Sequence, residues 1–211
     1  MAAPRGILKI YAKQPGTVAE AIDTLRSIEN AYLVLYATEL HVETIRETFS
    51  GKRRFRLNYP FPLPYLPFTP GLTAHPELMT PDVIRRSILL PEDVLQLRTI
   101  QFQSPGFWEV LGSLNPLDQL RKYLQDRHDR KKDTDYRNDE EKRRMDIENA
   151  IRETELFKQR VSALRQAGYT DEEIRRLMLP AAYALNEVGI QQDRGLLAHA
   201  EIKRFEDKTE Q

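Results

Sequence analysis

The chain has 211 residues, 30% of them charged and 40% hydrophobic, with 32 Lys plus Arg balancing 32 Asp plus Glu. That length can bury a real core, and the composition rules out wholesale disorder even though mean hydropathy is −0.59. A net charge of zero gives no global field for a polyanion or an acidic membrane, so any such site is a local patch. The absence of cysteine excludes disulfides, thiolate metal ligands and thiol nucleophiles together.

The N-terminus lacks an apolar segment of signal-peptide length, and the strongly apolar run Ala31 to Ala37 is too short to span a bilayer. The expectation is a soluble, cytoplasmic protein. Ile7 to Ala12 reads as a strand with Leu8, Ile10 and Ala12 on one face, ended by Pro15 and Gly16. Thr17 to Glu20 forms a capping box that opens a helix, whose stripe runs Val18, Ala21, Ile22, Leu25, Ile28, Tyr32 and Leu35 toward Phe49.

From Ser50 the character changes. Lys52, Arg53, Arg54 and Arg56 interleave with Phe55 and precede Tyr59, a basic-aromatic loop whose cations suit phosphates and whose rings suit bases. Prolines between 58 and 70 then exclude helix and central strand, leaving an extended connector or a ligand for an aromatic groove.

Thr80 and Pro81 predict a short helix through Val83, Ile84 and Ile88. Leu95 to Gln103 predicts a strand that changes face at a bulge near Arg98 and Thr99 and pairs with the first strand. Phe107, Trp108, Val110 and Leu111 read as an apolar helical turn ending at Gly112. Asn115 and Pro116 start a helix anchored by Leu117, Leu120, Tyr123 and Leu124.

Asp126 to Arg144 is densely charged with alternating sign, and acids precede bases at four-residue spacing, as in Asp126 with Arg130 and Glu140 with Arg144. This describes a solvated helix standing clear of a core. If unbroken from Pro116 to Ala167 it is about 75–80 Å long. The poor helix formers from Asp133 to Asp139 make a bend or hairpin the alternative.

Beyond it, Ile147, Thr154 and Val161 share one heptad position, and Ala150, Phe157 and Leu164 another. This short seam is a candidate interface, self-paired or shared with a partner, or else packs on the next helix. Gly168 closes the helix. Thr170 to Glu173 is a second capping box, opening a helix interrupted by Pro180, and Ala200 to Phe205 predicts a third strand before a frayed tail, 206–211.

The fold class expected is α+β: mostly helical, with a small two- or three-stranded antiparallel sheet and a long, highly charged projecting helix or helical hairpin. Residues 1–104 form a body with the proline-rich connector, and residues 105–205 a long-helix region folding back onto it. Strands pairing across that division would make the two halves interdependent.

Catalytic motifs are absent. The histidines at 41, 75, 128 and 199 have no metal-site spacing, and no phosphate-cradling glycine loop or G-x-S-x-G elbow occurs. No catalytic residue, cofactor or metal is assigned, and an enzyme without a recognisable motif ranks third. The leading expectation is a non-enzymatic protein-interaction or self-assembly module, with a protein partner or a second copy at the seam. The alternative is a nucleic-acid-associated protein using the loop from Lys52 to Tyr59, without membrane contact.

The segment SPGFWEVLGSLNPLDQLRKYLQDRHDRKKD, following LRTIQFQ, resembles a set of uncharacterised bacterial proteins in which a strand, a serine-proline step, an NPL helix start and a DRHxRxKD run come in this order. The resemblance covers roughly the second half of the chain. It implies a bacterial, cytoplasmic origin and brings no activity or site residue with it.

Overall fold

Alternation decides the first element: Leu8 and Ile10 are buried while Ile7, Lys9 and Tyr11 are half-buried, as in a strand with its core on one face. A computed structural model of the chain describes residues 4–12, 16–49, 80–87, 89, 91–101, 106–133 and 155–205. This strand is β1 (Arg5–Ala12). It is followed by α1 (Val18–Phe49), α2 (Pro81–Ser87), a 3-10 turn (Pro91–Asp93), β2 (Gln96–Gln101) and β3 (Gly106–Ser113). Then come α3 (Leu114–Asp133), α4 (Glu155–Gln166), α5 (Asp171–Asp193) and β4 (Ala200–Arg204).

The fold is α+β, with helices packed on one antiparallel sheet of four strands in the order β2-β3-β1-β4. Both β1 and β2 run antiparallel to β3, and both β3 and β4 run antiparallel to β1. It follows that β1 and β2 are parallel with β3 between them, and β3 and β4 are parallel with β1 between them. Two split β-α-β units are thus interleaved, and β1 joins the two halves of the sequence into one sheet.

Local signals account for most element ends. The Thr17 hydroxyl accepts from the Glu20 backbone N–H at 3.2 Å, while the Glu20 carboxylate accepts from the Thr17 N–H at 2.7 Å. Thr170 and Glu173 repeat this reciprocal pair at the start of α5, at 3.3 and 2.8 Å. Gly168 adopts φ +89°, the left-handed geometry that ends α4 without a Cβ penalty. In β2 the register shifts between Leu97 and Thr99, so the bulge lies at Arg98.

Three expectations are corrected. Phe107 to Gly112 is not a helical turn but the body of β3, and it supplies the extra strand. It is a strand because β1 offers its backbone a full ladder, from Arg5 opposite Ser113 to Ala12 opposite Gly106. For the same reason β2 pairs with β3 and not with β1. Pro180 does not interrupt its helix: α5 continues through it, because Leu177, Met178, Ala181, Ala182 and Leu185 on either side are all buried. That apolar burial offsets the hydrogen bond that proline removes.

The helices cover one sheet face. A Cβ at Gly112 would lie 2.9 Å from the Tyr32 ring of α1, and one at Gly6 would lie 2.6 Å from Leu114 Cδ1 of α3. The core joins Leu8, Ile10 and Val110 to Ile28, Tyr32, Leu35, Leu117, Leu120, Leu124 and Met178. α1 is buried on all sides from Ala31 to Thr38, because α3, α4, α5 and the sheet enclose it.

The charged helix begins as α3. Its residues up to His128 are not clear of the body: Arg127 pairs with Asp193 of α5, and His128 is half-buried. Residues 134–154, which include the remainder of that stretch, lie outside the described residues, as does the proline-rich connector.

Candidate functional site

With the helices on one face, the strand period places Arg5, Ile7, Lys9 and Tyr11 of β1 and Phe107, Glu109 and Leu111 of β3 on the other. The register sets Tyr11 opposite Phe107 and Lys9 opposite Glu109. Lys9 Nζ lies 3.8 Å from the Phe107 ring centroid, 5.2 Å from that of Tyr11 and 3.9 Å from Glu109 Oε1. One cation is therefore shared by two rings and a carboxylate.

The Tyr11 ring stacks on His199 at 4.4 Å, and its hydroxyl donates to Glu201 on β4 at 3.2 Å. Burial and then the neighbouring Glu201 charge raise the Tyr11 hydroxyl above its ordinary pKa of 10.0, so it remains a donor. The His128 ring of α3 is 6.4 Å from His199, at the border between helices and sheet. At the other end of the face, the guanidinium carbons of Arg5 and Arg98 lie 6.0 and 5.4 Å from the Phe205 ring centroid.

Two buried polar clusters lie behind the sheet. Asp93 accepts from the Tyr36 hydroxyl at 2.7 Å and the Ser113 hydroxyl at 2.6 Å through its carboxylate, and from the Tyr32 hydroxyl at 2.6 Å through its backbone carbonyl. The Tyr32 oxygen in turn accepts from the Ser113 N–H at 2.9 Å. Burial raises Tyr32 above its ordinary range, against the opposing effect of the Ser113 hydrogen bonds. This network fastens the 3-10 turn to α1 and β3, so the chain entering β2 is held where β3 can pair with it.

In the second cluster, between α1, α3 and α4, Glu39 accepts from Arg160 and from Gln119. Burial lowers the Arg160 pKa and the Glu39 charge raises it, so the pair tethers α4 to α1. Nearby, burial pushes His41 down to about 3, which keeps it a neutral ring edge-on to Tyr169. The first cluster does set the Ser113 hydroxyl against the Asp93 carboxylate, but both residues are buried, and each cluster fastens elements to one another.

Of the expected interface seam, Phe157 and Leu164 are buried in the chain's own core and Val161 packs against it. Ile147, Ala150 and Thr154 lie outside the described residues. So do Lys52, Arg53, Arg54, Phe55, Arg56 and Tyr59 of the basic-aromatic loop. Among the described residues no group of three His, Asp or Glu converges as a metal site, and no helix is long and apolar enough to cross a membrane.

Lys9 and Arg5 stand out in the sequence as cations that can join a basic patch if the fold permits, whereas Tyr11 and Phe107 carry no such signal. The strand period had set Ile7, Lys9 and Tyr11 apart from Leu8 and Ile10, but nothing showed which rings would join them across the ladder. No family model, curated protein or solved structure matches the chain.

Proposed function

We propose that this chain is a non-enzymatic interaction module, bacterial and cytoplasmic, that joins a protein partner or a second copy of itself through the edge of its sheet. The observation that carries this reading is the state of β2. Among the described residues it pairs only with β3, and it is exposed at Gln96, Leu97, Arg98, Thr99 and Gln101. Leu97 is 48% exposed and Val94, just before the strand, 41%, so two apolar side chains lie beside the free edge.

An edge strand presents backbone donors and acceptors that a strand from another chain can complete, and adjacent apolar side chains add affinity. Phe157 and Leu164 already contribute to the chain's own core, so an interface role for the helical seam rests on Ile147, Ala150 and Thr154. The sheet edge needs no rearrangement of the core.

Light scattering coupled to size exclusion tests the reading. The wild-type chain is expected to elute as an oligomer, or to bind its partner in a pull-down. Leu97→Lys combined with Val94→Asp is expected to abolish this while shifting the melting curve little, since exposed substitutions cost about 0.5 kcal/mol or less. An assembly that survives the double substitution would remove β2 from the interface, and a chain that stays monomeric and captures no protein would overturn the reading.

A further inference from the structure

The face of the sheet turned away from the described helices differs in chemistry from its edge. Its rings are each accompanied by a cation: Phe107 and Tyr11 by Lys9, Phe205 by Arg5 and Arg98. Edge strand β4 adds Lys203 opposite Ile7 and Glu201 opposite Lys9. The local balance of Arg5, Lys9, Arg98 and Lys203 against Glu109 and Glu201 is positive, in a chain whose net charge is zero.

We propose that this face binds single-stranded nucleic acid, with bases stacking on Tyr11 and Phe107 and phosphates held by Arg5, Arg98 and Lys203. Three observations converge on this occupant. Tyr11 and Phe107 are directly opposed on the two central strands, each of which has a strand on either side. Tyr11 already stacks on His199 and Phe107 already carries Lys9, pairings of the kind that a base would extend or replace.

Arg5 and Arg98 gather at the Phe205 end of the face and Lys203 lies opposite Ile7, so a backbone running from the Tyr11–Phe107 pair toward Phe205 meets positive charge along its way. The span from Arg5 to Tyr11 is about 20 Å at 3.3 Å per residue, enough for the two or three stacked bases that four-stranded sheets accept.

Glu109 stands among the rings and would repel phosphate. A base placed over Phe107 instead offers it an exocyclic amino group, which a carboxylate accepts from. Cytosine-rich strands are therefore expected to bind better than thymine-rich ones.

The test is fluorescence anisotropy of labelled oligo(dC) and oligo(dT), about ten nucleotides long, titrated with the full chain at low and at moderate salt. Expected are tighter binding of oligo(dC), loss of affinity with added salt, and weakening by about 5- to 100-fold in Tyr11→Ala and in Phe107→Ala. Arg98→Glu, at an exposed position, is expected to weaken binding without altering the circular dichroism spectrum. It decides the matter if either aromatic variant fails to fold.

Absence of binding by the wild-type chain at low salt would overturn the proposal. So would binding that persists in folded Phe107→Ala and Arg98→Glu but is lost in Arg53→Glu with Arg54→Glu, which would move the site to the loop. Self-association broken by Phe107→Ala, without oligonucleotide binding, would make the face a protein contact and overturn it equally.

Discussion

At position 112 a side chain has no free space. A Cβ there would stand 2.9 to 3.0 Å from the Tyr32 ring, and that ring cannot retreat because its hydroxyl donates to the Asp93 carbonyl and accepts from the Ser113 N–H. Gly6 faces a shorter contact, 2.6 Å, made with Leu114 Cδ1, the end of a side chain that can change rotamer, while its backbone neighbour, the Lys203 carbonyl oxygen, stands farther off at 3.3 Å. Gly112→Ala is therefore expected to destabilise the chain by about 1–3 kcal/mol and Gly6→Ala by less, read as the order of their urea midpoints. Equal midpoints would mean that the Asp93 network yields as easily as a leucine methyl.

At the scale of elements, the same side chains can be read as seam or as core, and Phe157 separates the two. It is 3% exposed among residues of α1 and α5. Removing such a ring costs about 3–5 kcal/mol, and a carboxylate in its place adds the cost of burying a charge. Phe157→Glu is thus expected to abolish the cooperative thermal transition followed by circular dichroism. A stable fold with altered assembly would instead place Phe157 at an interface.

Elements with local causes were legible in the sequence. Thr17 with Glu20, Thr170 with Glu173, Gly168 and the Arg98 bulge each act within a few residues of themselves. β3 was not, because its cause lies in distant strands. Phe107, Trp108, Val110 and Leu111 have spacings that fit one helical turn, and from Val110 to Ser113 every residue is buried, so the alternation that marks a strand is missing there. The candidate face was hidden for the same reason: Tyr11 and Phe107 meet only through the ladder that β3 makes with β1.

At the scale of the whole molecule, that ladder joins the two halves of the chain. Within the sheet, the strands adjacent to β1 are β3 and β4, both supplied by residues beyond 104. A fragment ending at residue 104 is expected to show no cooperative unfolding, and co-expression with residues 105–211 to recover it, as measured by urea titration of each. A cooperative transition in the shorter fragment alone would mean that α1 and α2 suffice as a folding unit.

The position of β1 between partners so remote also has a consequence during synthesis. Tyr11 and its contact Glu201 are 190 residues apart, so at about 5–20 residues per second the ribosome takes on the order of 10–40 s to supply the second neighbour of the first strand. Through that interval β1 is an apolar strand with an unoccupied side. Its protection in the cell falls to whatever meets nascent chains, and the yield of folded protein is expected to depend on translation speed more than its final stability does.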